Sequence, residues 1–420
     1  MSKKEKGRNK TSEILTSPVP YSIWENTEDI TINTHNFIKT SNFSREEIIS
    51  KALIPPEKGE ALETIKNYKK CIDLEVDDYY VFRNYGMLLI GNEKYVEAER
   101  VILKAIKIKP NEAFTYLNLS VALKKLGRLE ESESNIRKFI EIEPSMALGH
   151  LYLSNTLRDL GKLEQAEISA RKAIELKPDF ADSYMSLGIC LFFKGNKESA
   201  LNYLEKSNTI MPRKENKILS SIFIQEKYNI TYKELEHKTS HEKLRSIPNP
   251  LILNRPVEKE LIECLYNIKP RDQEKYQGPT YGNAMGSDFN FFDTNKPIIN
   301  AFEKDLKNII SNSLESDILI YEAFFTIFSS GGGLTIHNHL SDFDKINGLN
   351  IQSRKYSLVY YLSVGDQNCD EPGILKLKDP NQDILPTNGL IIMFPSKRNH
   401  SVFYKGRKDR VIIGVNLYSI

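Results

Sequence analysis

Three histidines and an arginine near the C-terminus are, by type and spacing, the residues of this chain best suited to chemistry. The chain has seven histidines, and His337, His339 and His400 are the three that lie beyond position 250. His337 and His339 stand two apart at the end of a strand-like run, Leu334 to Asn338. Residues i and i+2 of a strand project to one face, so both imidazoles can reach a single ion. His400 follows Phe394-Pro395-Ser396, just after a strongly apolar run, and Arg410 opens the final run ten residues later. Three protein ligands on one face of a metal leave three positions open for a bidentate cosubstrate and dioxygen. A buried arginine suits a carboxylate, because its planar fork binds both oxygens. The combination reads as Fe(II), 2-oxoglutarate and O2 chemistry, in which decarboxylation of the 2-oxo acid generates an oxidant that abstracts hydrogen from a substrate.

The elements that must position these residues follow from the pattern between 251 and 420. Val257 to Ile268 and the segment opened by Pro297 carry apolar residues at helical spacing, with Ile298, Phe302, Leu306, Ile309 and Ile310 on one face of the second. Beyond Asp317 come short runs rich in β-branched and aromatic residues: Ile318 to Phe328, Leu334 to Asn338, Tyr356 to Val364, Ile374 to Leu377, Gly389 to Phe394, Ser401 to Tyr404 and Val411 to Tyr418. Glycine, proline, asparagine and aspartate separate them. Many short strands at close spacing predict a sandwich or jelly roll. Gly331-Gly332-Gly333 lacks the lysine and following helix of a phosphate loop, and reads as a strand turn.

The segment resembles the Fe(II)/2-oxoglutarate-dependent oxygenases, in particular their prolyl-4-hydroxylase-like branch, loosely over 251–420 and well over 320–420. The resemblance rests on Gly331 six residues before His337, Tyr360-Tyr361-Leu362, Glu371-Pro372-Gly373-Ile374-Leu375-Lys376-Leu377, Pro386-Thr387-Asn388-Gly389, Phe394-Pro395, His400 and Arg410. It implies a double-stranded β-helix with flanking helices, iron held by His337, His339 and His400, and 2-oxoglutarate held by Arg410 with help from Tyr360 or Tyr361. Two departures stand out. The family's His-x-Asp or His-x-Glu is here His337-Asn338-His339, with Asp342 as the alternative carboxylate. The tyrosine that often touches the cosubstrate is Phe328, and the small hydroxyl residue often found two beyond the arginine is Ile412.

The N-terminal half is built differently. Prolines recur at 110, 144, 178 and 212, a period of 34 residues. In the same phase run Gly86, Ser120, Ser154 and Gly188; Ala98, Ser132, Ala166 and Ala200; and Gly127, Gly161 and Gly195. Small residues let two helices approach, glycine closes the first and proline stops the second. Each pair leaves an apolar face that the next pair covers. The pattern resembles the tetratricopeptide repeat, at about 79–112, 113–146, 147–180 and 181–214, with a weaker copy from Gly59 to Val76 before it. The fold class is thus multidomain α + β: an irregular segment over 1–44, a helical repeat solenoid over 45–215, a capping helix and Pro-rich linker over 216–250, and the oxygenase-like region over 251–420. The resemblance implies a groove for a protein or peptide partner, against a plain scaffold or dimerisation element.

The remaining composition excludes rather than identifies. The formal net charge is +2, nearly balanced along the chain, which does not suggest a nucleic-acid surface. No apolar stretch is long enough to span a bilayer and no secretory signal follows the basic N-terminal run, so no membrane role is expected. Cys71, Cys190, Cys264 and Cys369 are far apart and read as free thiols of a reducing cytoplasm. Three hypotheses follow: an iron dioxygenase, a non-catalytic repeat scaffold with a degenerate jelly roll, and a zinc hydrolase on the same histidines. Arg410 argues against the last.

Overall fold

The computed structural model describes residues 61–74, 76–227, 249–268, 280–281, 284–287 and 289–420. The expected irregular segment over 1–44, the start of the weak first repeat and most of the linker lie outside the described residues. The chain divides into two compact units, 1–190 and 191–420.

The first unit is a stack of helices: α1 (Ala61–Asp73), α2 (Tyr79–Gly91), α3 (Tyr95–Ile108), α4 (Ala113–Lys125), α5 (Leu129–Ile142), α6 (Ala147–Asp159), α7 (Leu163–Leu176) and most of α8 (Ala181–Phe193). The 34-residue period reappears in the contacts. α3, α5 and α7 each end two residues before a repeat proline, and Gly127 and Gly161 take positive φ of 78° and 74° where α4 and α6 end. Close packing explains the small residues: a Cβ on Gly86 would lie 2.4 Å from Ile102 Cγ1, and Ala98, Ala166, Ala170 and Ala173 are fully buried. Polar contacts repeat too. Tyr116 and Tyr184 each donate to the carbonyl of the preceding repeat proline, Pro110 and Pro178, at 2.8 and 3.0 Å. Arg128 pairs with Glu99 and, one repeat on, Lys162 pairs with Glu133, both at 2.7 Å. Each such exposed pair contributes at most about 1 kcal/mol, so the stack is held by its apolar seams.

The second unit begins inside α8. It contains α9 (Lys197–Ile210), α10 (Lys214–Lys227), α11 (Lys259–Tyr266), α12 (Pro297–Leu314) and an antiparallel β-rich region. The division falls earlier than the repeat end read from the sequence, and the helix that follows the last repeat, Lys214–Lys227, contacts the β region. Tyr321 donates to Glu215 at 2.6 Å, and Lys214 Nζ donates to the Tyr321 carbonyl at 2.7 Å.

Two antiparallel sheets make up that region. One has six strands in the order β1 (Leu251–Asn254), β9 (Leu390–Pro395), β6 (Lys355–Ser363), β11 (Arg410–Ser419), β4 (Ile318–Phe328) and β3 (Ala284–Gly286). The other has five: β2 (Thr280–Tyr281), β5 (Gly332–His337), β10 (His400–Tyr404), β7 (Leu375–Leu377) and β8 (Gln382–Ile384). Strand alternation divides the six-stranded sheet's side chains between two cores. Phe325, Ile327, Leu358, Tyr360, Ile391, Val411 and Ile413 face α11 and α12, joining Leu261, Phe302, Leu306 and Ile310. Phe328, Tyr361, Ile392, Phe394 and Ile412 pack instead with Leu375, Leu377 and Tyr404 of the five-stranded sheet.

Candidate metal centre

The three histidines meet because β5 and β10 pair antiparallel. Gly331, at φ +86°, turns the chain from β4 into β5, and His337, the last residue of β5, lies directly opposite His400, the first of β10. Next to this pair the register shifts, from His400↔His337 to Val402↔Leu334, so Thr335 and Ile336 oppose Ser401 alone. Such a bulge re-aims the side chain beside it. His339 lies just past β5, and its N–H donates to the Ser396 carbonyl at 3.1 Å. The ring centroids are 4.2 Å apart for His337–His400, 4.9 Å for His337–His339 and 5.0 Å for His339–His400. One ligand atom from each lies within 4.8 Å of the others, and His400 is buried.

Donor chemistry fits a metal. The Nδ1 atoms of His337 and His400 face the carbonyls of Thr335 and Arg398, at 2.7 and 3.3 Å. Each Nδ1–H is thereby used as a donor, and Nε2 keeps its lone pair. Burial pushes all three imidazoles below their ordinary range, His400 down to about 3, with His337 adding to the depression of His400 and with His400, His337 and Lys355 adding to that of His339. They are therefore neutral, as ligands must be.

The histidines line a cavity of ≈ 590 Å³ enclosed by the two sheets. One strip of its wall is a ladder, Arg410↔Phe328, Ile412↔Thr326, Gly414↔Phe324 and Asn416↔Glu322, all facing in. A Cβ on Gly414 would strike the Phe324 ring at 2.4 Å, so glycine is what lets that ring lie across the strand.

Arg410 closes one end. It is 1% exposed. Its guanidinium sits over the rings of Tyr361 and Tyr404, at 5.0 and 5.9 Å, and Nη1 donates to the Gly373 carbonyl at 2.5 Å. The approach is so close that a Cβ on Gly373, at φ +80°, would lie 1.5 Å from Nη1. Arg410 Nη2 is buried with no hydrogen-bond partner. A buried cationic donor left unpaired is costly, and a ligand carboxylate is the group that would satisfy it.

Around His339 the structure supplies a network that residue spacing did not reveal. Asn416 Nδ2 lies 3.3 Å from His339 Nδ1 and donates to Glu322 Oε2 at 2.8 Å, while Ser357 donates to Asn416 Oδ1 at 2.9 Å. So oriented, the Asn416 amide presents its hydrogens to Glu322 and to His339 Nδ1, and its oxygen to Ser357. The loop that follows is tied down by Asp344, which accepts from Ser341 N, from Tyr418 Oη (2.7 Å each) and from Lys355 Nζ (2.9 Å). Asp344 and Lys355 are both almost fully buried.

Of the residues singled out from the sequence, the structure brings His337, His339, His400, Arg410, Tyr361 and Phe328 around the cavity. It takes two away. Tyr360 points through the other face of β6: its hydroxyl donates to the Pro256 carbonyl at 2.8 Å and its ring stacks on Phe302 at 5.5 Å. Adjacent strand residues face opposite ways, so only one tyrosine of the pair can reach Arg410. Asp342 precedes a short 3-10 turn, Phe343–Lys345, and does not line the cavity; the inward carboxylate of that loop is Asp344, already neutralised by Lys355. Glu322, Asn416, Asp344 and Lys355 went unnoticed because nothing local distinguishes them from ordinary strand and loop residues.

The family profile "Tetratricopeptide repeat" matches residues 115–146, 148–180 and 181–213. No curated protein matches the chain significantly. Among solved structures, a crystal structure of MamA is 20% identical, covering 36% of this chain and 90% of that one at a TM-score of 0.35. YrrB, described as a TPR protein with an unusual peptide-binding site, is 20% identical, covering 48% of this chain and 95% of that one at a TM-score of 0.37. A thermophilic TPR protein in Thermus thermophilus is 16% identical, covering 43% and 99% at 0.37. The chain thus carries tetratricopeptide repeats. Among the described residues, no helix is long and apolar enough to cross a membrane.

Proposed function

We propose that the β-rich region is a jelly-roll oxygenase that uses Fe(II), 2-oxoglutarate and O2, and that the repeats recruit a protein or peptide to it. One observation carries this reading: a buried arginine with an unpartnered Nη2 closes the same cavity that three neutral imidazoles line. A dicarboxylic 2-oxo acid needs such a cation for the carboxylate that does not take part in the reaction.

His337, His339 and His400 would hold the iron, which with 2-oxoglutarate and dioxygen supplies an oxidative decarboxylation coupled to substrate oxidation. The other roles belong to the chain's own groups. Arg410 receives the far carboxylate of the 2-oxo acid through its fork. Contacts with the Tyr361 and Tyr404 rings hold the guanidinium in place, so little side-chain freedom is lost on binding. Phe328, Leu375, Phe394 and Ile412 exclude water around the cosubstrate. Phe328 offers no hydroxyl, so the affinity for the carboxylate rests mainly on Arg410.

The test is anaerobic addition of Fe(II) and 2-oxoglutarate to the full chain. A weak visible charge-transfer band should form, and admission of air should yield succinate. Folded, metal-loaded protein showing neither would sink the reading. His339, standing where the resembling family has a carboxylate, favours a second reading: a repeat scaffold whose jelly roll binds but does not catalyse. That reading expects the 2-oxoglutarate to bind without succinate appearing. We place the chain in the cytoplasm, in keeping with the free thiols of Cys71, Cys190, Cys264 and Cys369.

A further inference from the structure

The cavity has a second charged end, and its chemistry is opposite to the first. Along the β4–β11 ladder, Arg410↔Phe328 and Asn416↔Glu322 are six residues apart, roughly 20 Å at about 3.3 Å per residue. Glu322 is the carboxylate that lines the cavity, and it is partly open to it. Among the described residues no ion pair involves it; its contact is a single amide hydrogen, from Asn416. The nearest cation lining the cavity, Lys355, is already neutralised by Asp344 at 2.9 Å. Glu322 is thus a carboxylate in a largely apolar cavity with no counter-charge.

Its placement is built by a second irregularity in the sheet. Between Asn416↔Glu322 and Leu417↔Ile320 the register slips, leaving Tyr321 as an extra residue on β4. Alternation would send Tyr321 to the helix side, but the bulge lets Tyr321 and Glu322 both line the cavity. Aromatic rings complete this end. Phe289, 56% exposed at the rim, meets Phe324 edge-on at 5.5 Å and 84°. A carboxylate bordered by aromatic rings is the arrangement that receives an organic cation, by charge and by attraction to the ring faces.

We propose that this end is a recognition subsite for a basic side chain, the ammonium of a lysine or the guanidinium of an arginine, with Glu322 as its anchor and Phe289, Phe324 and Tyr321 packing its stem. The proposal rests on the oxygenase reading for what happens to that side chain, but the binding itself does not. Glu322 reaches His339 through the one intervening amide of Asn416, so a side chain anchored there lies close to the histidine cluster. The cavity is then a dipolar slot: a cation at one end for the dicarboxylate, an anion at the other for the substrate, and the three imidazoles between.

The experiment is isothermal titration of the full, metal-loaded chain, without oxygen and with 2-oxoglutarate present. The probes are Gly-Lys-Gly, Gly-Arg-Gly, the uncharged Gly-norleucine-Gly and free lysine. The expected result is saturable binding of a basic peptide at least about tenfold tighter than of the norleucine peptide, a gap of about 1.4 kcal/mol. Glu322→Gln, which still accepts from Asn416, should erase that preference while leaving 2-oxoglutarate affinity unchanged. Free lysine binding as well as the peptide identifies a small-molecule substrate of the same chemistry; weaker binding identifies a peptide. Equal binding of lysine and norleucine peptides, or no saturable binding of either basic peptide, overturns the proposal, as does a preference that survives Glu322→Gln. A variant that loses metal affinity along with all peptides alike shows Glu322 to be only a support for Asn416. Failure of the oxygenase reading looks different: the lysine preference stands, but 2-oxoglutarate does not bind.

Discussion

Replacing Arg410 by methionine separates the affinity of the cavity for a dicarboxylate from the stability of the fold. In the ligand-free protein the guanidinium is 1% exposed and its Nη2 has no partner. An unsatisfied buried group costs about 1–3 kcal/mol, more when charged. Methionine removes that cost and fills much of the same volume. It also removes the Nη1 bond to Gly373 and the contacts with the Tyr361 and Tyr404 rings, worth together about 1–3 kcal/mol. The two nearly cancel, so Arg410→Met should unfold in urea within about 1–2 kcal/mol of the parent. Binding should change far more. Truncating one partner of a buried, hydrogen-bonded charge pair costs about 2–5 kcal/mol, or roughly 30- to several-thousand-fold in Kd for 2-oxoglutarate. Calorimetry on the Mn(II)-loaded protein reads this directly, and the thermal shift that 2-oxoglutarate gives the parent should vanish in the variant. A folded, metal-loaded Arg410→Met that binds 2-oxoglutarate as tightly as the parent would refute the assignment of that end of the cavity.

Other perturbations have equally definite outcomes. His400→Ala should weaken Fe(II) or Mn(II) binding by more than the roughly 10–100-fold that loss of an outer partner costs, and should abolish any charge-transfer band; metal titration checks both. Gly373→Ala puts a methyl 1.5 Å from Arg410 Nη1 on backbone at φ +80°, so it should cost at least about 1–3 kcal/mol of stability and displace Arg410, lowering urea midpoint and 2-oxoglutarate affinity together. Asp344→Ala strands the buried Lys355 ammonium and should cost about 3–5 kcal/mol in chemical denaturation, whereas Asp342→Ala, outside the cavity, should leave metal affinity unchanged.

The repeats were legible because their determinants are local. Proline after each second helix, glycine after each first, and small residues where helices touch repeat every 34 residues, and each acts within one turn or one neighbouring helix. His337, His400 and Arg410 were legible for a related reason: each stands at a strand end beside recognisable turn residues. Tyr360 and Tyr361 were not separable. β6 is buried on both faces, so its apolar run carries no alternation to say which tyrosine faces the cavity.

The residues that complete the site depend on register across strands distant in sequence. Asn416 reaches His339 from 77 positions away, and Glu322 reaches Asn416 from 94. The bulges beside His337 and at Tyr321 each add one unpaired residue and change which side chains face in. Residue types and local spacing therefore sufficed for the helical stack, the strands and for singling out three histidines and an arginine that the fold brings to one cavity. Which neighbours tune them, and that the cavity ends in a carboxylate opposite its guanidinium, followed from long-range pairing, because a one-residue slip in a strand turns every side chain to the other face.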